Sequence, residues 1–145
     1  MKTIEELHPL IIEWAREKDL LKRENAEKQY LKFLEEVGET ARAILKNDVP
    51  EIVDGLGDCV VTIFILAEQN SSELWLDLNN KSPLRLTIDM VIGCVHIDKV
   101  QFCTVLWLNK YAKSIGYDLT ECLNSAWDEI KDREGRTVNG TFVKA

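Results

Sequence analysis

The sequence is poor in the residues that carry several common chemistries. Of 145 residues, only two are histidine and four are cysteine. Cys59, Cys94, Cys103 and Cys122 form no C-x-x-C pair, and His8 and His96 do not stand near them. A zinc centre needs such ligands at short spacing, so none is expected. Each cysteine lies among apolar residues and reads as a reduced, buried, small hydrophobe. Glu-x-x-His occurs once, at Glu5 and His8 beside Pro9. A di-iron carboxylate bundle needs that pattern on two helices. Basic residues are in deficit, 18 Lys and Arg against 25 Asp and Glu, for a net charge of −7. That argues against a nucleic-acid-binding surface, which would show a basic stripe. Long apolar runs are missing too. The longest, Cys59 to Ala67, is far too short to span a bilayer. Lys2 is followed by Glu5 and Glu6 with no cleavable apolar run, so the expectation is a cytoplasmic protein with no membrane partner. No repeat, low-complexity tract or linker interrupts the chain, and its length suits one domain, 1–145, with a real core.

What the chain does have is acid at helical spacing. The stretch from Glu35 to Asp58 reads EEVGETARAILKNDVPEIVDGLGD. Glu35, Glu36 and Glu39 fall on one predicted helix, and Glu51, Asp54 and Asp58 on the next. Residues three and four apart share a helix face, so each trio makes a compact patch. On the second of these helices Asp48 suits the N-cap and Pro50 the first turn. Ile52, Val53, Leu56, Val60, Ile63, Phe64 and Ala67 form an apolar stripe, while Val61 and Ile65 continue the line of the acids. A helix apolar on both sides is a buried one, so its carboxylates face an interior or a cleft. Clustered, poorly hydrated carboxylates persist when protonated, paired or bound to a cation, and the hard cations Mg²⁺ and Mn²⁺ prefer oxygen ligands. On the first of the two helices Lys28, Lys32, Arg42 and Lys46 share the acidic face, so that trio also fits a salt-bridged, solvated surface.

The remaining elements follow from caps and breakers. Thr3 and Glu6 make a capping box for a helix to about Leu20, with Leu7, Ile11 and Trp14 on one flank and Pro9 as a point of delay or bending. The second helix runs from about Asn25 to Lys46, with Tyr30, Phe33, Leu34, Val37, Ala41, Ile44 and Leu45 as its apolar face. Gly38 inside it, like Gly55 and Gly57 in the third helix (Pro50 to about Asn70), suggests tight packing of a neighbour. A short helix over Leu74–Leu78 and a turn at Asn79–Pro83 come next, then a long helical stretch from Leu84 to about Gly116, either continuous or broken near His96-Ile97-Asp98. A last helix covers Leu119–Arg133. Asn139-Gly140 between β-formers predicts a C-terminal hairpin. The apolar surplus between Leu84 and Leu108 exceeds what one outward-facing helix buries, which predicts a homodimer or homotetramer.

E35-E36-V-G-E39 followed by E51-I-V-D54 resembles the EExxE…ExxD signature of MazG-like nucleoside triphosphate pyrophosphohydrolases, all-α enzymes related to the dimeric all-α dUTPases. GLGDCVV and AWDEIKDREGRTVNGTFVK look like the small, often phage-encoded branch. The resemblance implies an all-α helical bundle with a small C-terminal hairpin. It also implies Mg²⁺-dependent (or Mn²⁺-dependent) cleavage of a nucleoside triphosphate to the monophosphate and pyrophosphate, in a cytoplasm or a host cytoplasm. By motif position it implies Glu36, Glu39, Glu51 and Asp54 as metal ligands, Glu35 as the group that orients water or holds a further metal, and Asp58 as a supporting acid. Lys32, Lys131, Arg133 and Arg136 are candidate phosphate contacts, Asn124 a polar contact, and Trp14 a base-stacking residue. The competing reading is a non-catalytic acidic helical interaction protein of the same fold.

Overall fold

The structure is a computed structural model that describes residues 1–70 and 97–145, with side chains described for 1–70 and 106–145. It is all-α apart from one hairpin. The helices are α1 (Ile4–Glu17), α2 (Ala26–Lys46), α3 (Val49–Gln69), α4 (Ile97–Ser114) and α5 (Leu119–Ile130), and the strands are β1 (Gly135–Val138) and β2 (Thr141–Lys144). The short helix near Leu74, the turn at Asn79–Pro83, Cys94, the Cys103 side chain and residues 84–96 of the long helix lie outside what is described.

Local chemistry sets the boundaries. Thr3 Oγ1 accepts from the Glu6 N–H at 3.3 Å and Glu6 Oε2 accepts from the Thr3 N–H at 2.8 Å, closing the capping box of α1. Pro9 neither delays nor ends this helix. The carbonyl it leaves without a donor is that of Glu5, and both residues are exposed, so water can satisfy it. After a single 3₁₀ turn over Arg23–Asn25, α2 runs to a left-handed Asn47, a residue type that tolerates that conformation. The Asp48 carboxylate then caps α3. Only Asn47 and Asp48 separate the two helices, which fold back antiparallel.

α3 is the central element, packed most extensively on α2 and next on α5. Ile52, Leu56, Val60, Val61, Ile63, Phe64, Ile65 and Ala67 are all buried, the two-sided burial expected from the sequence. Gly55 and Gly57 permit it. A Cβ on Gly55 would run into the Thr40 side chain of α2, and one on Gly57 into the Cys122 carbonyl and Ala126 of α5. Gly38 corrects the expectation, since a Cβ there meets nothing within 4 Å. The apolar face expected of α2 is corrected as well. The helix buries Gln29, Phe33, Glu36, Thr40 and Ala43, while Leu34 is 46% and Leu45 85% exposed. The line facing α3 is half polar because it forms the wall of a cavity.

α5 ends at Ile130 rather than Arg133 and carries its own capping box, Asp118 with Glu121. The chain then turns into the hairpin, Gly135–Val138 against Thr141–Lys144. Asn139 and Gly140 at its tip have φ of 50° and 79°, the signature of a type I′ turn. Among the described residues no helix is long and apolar enough to cross a membrane. Cys59 and Cys122 are buried free thiols, and burial pushes them up to about 12 and about 11, so both stay protonated and inert.

Candidate functional site: an acidic cavity between α2 and α3

α2 and α3 pack tightly at the level of the acids, where Thr40 lies against Gly55 and Cys59. Thr40 Oγ1 donates to the Glu36 carbonyl at 2.8 Å and lies 3.7 Å from Cys59 Sγ, while Gly55 leaves Thr40 the space it needs. This antiparallel register carries the Glu36–Glu39 turn of α2 past the Asp54–Asp58 turn of α3.

Glu36 is the buried acid, only 6% exposed. Its Oε1 accepts from Lys32 Nζ at 2.7 Å, and the same ammonium reaches Glu35 Oε2 at 2.8 Å. Burial works against the Lys32 charge, but the hydrogen bonds and attraction of the two glutamates outweigh it and hold the ammonium well above the ordinary lysine value. Asp58 is half-buried. Desolvation first, then the negative charges of Glu36 and Asp54, push its carboxyl up to about 7 against the opposing pull of Arg133 and Lys32. These groups therefore share one electrostatic neighbourhood in which acid exceeds base. Among the described residues, no Lys or Arg pairs with Glu39, Glu51, Asp54 or Asp58 within salt-bridge distance.

A cavity of about 340 Å³ opens against this cluster, within the range of small-molecule sites. Its wall holds six of the residues singled out from the sequence: Glu36, Glu39, Asp58, Lys32, Arg133 and Trp14. The others stand elsewhere. Glu35 is exposed and tied to Lys32. Glu51 is exposed in the first turn of α3, and Asp54 is half-buried one turn before Asp58. Asn124 spends its amide on the N-terminus, donating to the Lys2 carbonyl at 2.7 Å and accepting from the Lys2 N–H at 2.9 Å. Lys131 is exposed and paired with Asp128 at 2.6 Å, and Arg136 is exposed on β1. Arg133 is also paired, with Glu129.

The cavity includes residues that sequence reasoning missed: Lys28, Gln29, Thr62, Gly140, Thr141, Phe142 and Lys144. The polar line Gln29–Glu36–Thr40, spaced at helical intervals, was the available signal for Gln29. Nothing local in the hairpin reveals that it folds back onto this wall.

The carboxylates offer an all-oxygen donor set with excess negative charge, which suits a hard divalent cation such as Mg²⁺. Among the described residues no three of them converge as a ready-made metal cage. Carboxylates with no cation between them repel, and the Lys32 ammonium occupies the approach to Glu36.

Comparison with known proteins meets the same stretch. Residues 24–81 match the profile of the MazG nucleotide pyrophosphohydrolase domain. The chain is 37% identical over 70 residues to a Haemophilus phage HP1 protein named as an uncharacterized 18.2 kDa protein in the rep–hol intergenic region. That match covers 48% of this chain and 43% of the phage protein, so it spans less than half of either. No solved structure gives a significant match. The resemblance carried by the paired acid motif thus holds over α2 and α3, where residues 24–81 are similar to the MazG nucleotide pyrophosphohydrolase domain.

Proposed function

We propose that this protein hydrolyses a nucleoside triphosphate to its monophosphate and pyrophosphate, with Mg²⁺ or Mn²⁺ held by Glu36, Glu39, Glu51 and Asp54. The observation that carries the reading is the pairing, in one cavity, of acids, Glu36 buried among them, with basic side chains. Glu36 and Asp58 face Lys32 and Arg133 on the same wall. A triphosphate needs both, because its charge has to be neutralised and its scissile group positioned. Glu36, Glu39, Glu51 and Asp54 would hold the divalent ions, which would supply neutralisation of the phosphate charge. Four carboxylate ligands bring a formal −4, so a single ion leaves the site negative and more than one cation is required.

The chain's own groups have distinct tasks. Lys32 neutralises Glu36 in the metal-free protein, and its flexible stem lets the ammonium move from Glu36 to a phosphate oxygen. Arg133 reaches the cavity from the end of α5 and offers a planar fork to phosphate. Glu35, exposed beside Lys32, orients the attacking water in this reading. Asp58, pushed up to about 7 by burial and then by Glu36 and Asp54, holds a proton near neutral pH when the site is empty of cations.

The protein acts as a homodimer or homotetramer. Supporting this, Leu31, Leu34 and Leu45 lie exposed on the outer side of α2, a line of apolar residues that a second copy would cover. Of the apolar surplus expected between Leu84 and Leu108, only residues 106–108 have described side chains.

The test is a screen of common and deoxynucleoside triphosphates for pyrophosphate release with Mg²⁺ or Mn²⁺. A non-catalytic acidic interaction protein gives no release with any of them, and that outcome rejects the reading.

A further inference from the structure

We infer that the C-terminal hairpin forms the base-facing wall of the cavity and that Phe142 sets the selectivity among nucleobases. This rests on the reading of the cavity as a nucleotide site and adds to it which end takes the base.

The cavity is chemically polarised. Its lining runs along α2 and α3 from Glu36, Glu39 and Asp58 to Gln29, Thr62 and Ile65, and Trp14 and Phe142 line it together with Lys28 and Lys144. Along α2 the change takes two turns, from Glu36 to Gln29, or about 10 Å at 1.5 Å per residue. That is the scale of a nucleoside with its first phosphate. Phosphates belong at the acid-and-cation end, so the base belongs at the aromatic end.

The hairpin is held there by specific contacts. Thr137 Oγ1 donates to the Lys18 carbonyl at 2.5 Å, tying β1 to the end of α1. Gly140 packs so closely on α2 that a Cβ there would lie 3.1 Å from both Asn25 Oδ1 and Lys28 Cγ. Phe142 then meets Trp14 with ring centroids 5.5 Å apart and planes tilted by 57°. The two rings come from opposite ends of the chain and line the same cavity. An aromatic face is a sequence-tolerant platform for a base, and its placement and the polar groups beside it decide which base is preferred.

Two polar side chains, Trp14 and Gln29, stand on the lining at this end. Trp14 is 7% exposed, and its buried Nε1–H has no hydrogen-bond partner among the described residues. An orphaned buried donor is costly, and this one belongs to a ring that lines the cavity. Gln29 is buried on the wall, and its amide makes one long bond, to the Thr62 carbonyl at 3.4 Å. A side-chain amide carries two donors and two acceptor sites, so Gln29 has capacity left to read a base edge. Phe142 fixes how far the base enters and which edge meets these two groups.

The experiment compares wild type with Phe142→Ala, Phe142→Leu and Phe142→Tyr. The leucine variant keeps apolar bulk for hairpin docking should alanine unfold it. Two readouts are taken: kcat/KM for five deoxynucleoside triphosphates with Mg²⁺, and calorimetric binding of the five monophosphates without metal. Inorganic triphosphate, which has no base, serves as a competitive inhibitor. Loss of the aromatic face should reduce the spread between best and worst base by about tenfold or more in either readout. Tyrosine should retain it within about threefold, and inhibition by inorganic triphosphate should change by less than about twofold. An unchanged spread, or weakening of inorganic triphosphate in step with the nucleotides, overturns the inference. Selective binding that Phe142→Ala abolishes, without pyrophosphate release, keeps the wall and rejects hydrolysis. Pyrophosphate release with an unaltered spread does the reverse, and a wild type that neither binds nor turns over any nucleotide rejects both.

Discussion

Asp58→Asn in the metal-free protein tests the electrostatics of the acid cluster directly. Asparagine keeps the size of the side chain and mimics the protonated carboxyl. Asp58 has a folded value of about 7 against an ordinary 3.8, so the folded state holds a proton that the unfolded chain releases. A raised value means that stability falls as pH rises from about 4 to about 7, with a slope near 1.4 kcal/mol per pH unit. Above the folded value the wild type carries the full cost, at most about 4 kcal/mol for a shift of roughly three units. The variant has no such dependence at this position. Urea unfolding in chelator should therefore find Asp58→Asn more stable than wild type already at pH 5, with the gap widening to about 4 kcal/mol or less by pH 7.5. Saturating Mg²⁺ should narrow the gap, because bound cations offset the repulsion from Glu36 and Asp54. A variant less stable than wild type, or a gap that stays flat with pH, refutes the argument that Asp58 is a strained member of an acid cluster. It would make Asp58 instead the satisfied partner of a cation such as Arg133.

Three further outcomes follow from the same packing and charges. Asp54→Asn should cut pyrophosphate release by orders of magnitude while metal-free melting temperature holds or rises; clear destabilisation with activity retained would make Asp54 a structural acid. Gly55→Ala places a methyl against Thr40 and should cost about 1–3 kcal/mol by overpacking, whereas Gly38→Ala, with open space around it, should stabilise by up to about 1 kcal/mol; denaturation midpoints for both variants check the pair, and equal effects would contradict the packing described. Leu34→Glu with Leu45→Glu should shift the light-scattering mass toward the monomer, and a wild type already monomeric at micromolar concentration would refute assembly through the outer side of α2.

The parts of this protein governed by local rules were legible in its sequence. Thr3 with Glu6 gave a real capping box, Asp48 a real cap, and Asn139-Gly140 a real hairpin turn, since each depends on a few adjacent residues. The two-sided burial of α3 was legible because its apolar residues occupy both flanks. The buried face of α2 was not. Leu34 and Leu45 pulled the expected stripe to one side, while the face that packs inward carries Gln29, Glu36 and Thr40, a polar set that hydrophobic periodicity discounts. Gly38 misled for a related reason, since a glycine in a helix signals close packing only if a neighbour is there. In the cavity, the acids at 36, 39 and 58 and the cations at 32 and 133 were readable from spacing and motif. The contribution of Phe142 was not, because it depends on a hairpin at one end of the chain docking on Trp14 near the other.

The most direct measurement of the central claim is product analysis. The protein is incubated with a panel of nucleoside triphosphates and Mg²⁺, and pyrophosphate, orthophosphate and nucleotide products are quantified, with a chelated control. The account predicts, for at least one base, one pyrophosphate per monophosphate, no orthophosphate, and loss of both products on chelation. Orthophosphate with diphosphate, or no metal-dependent product from any nucleotide, would contradict it.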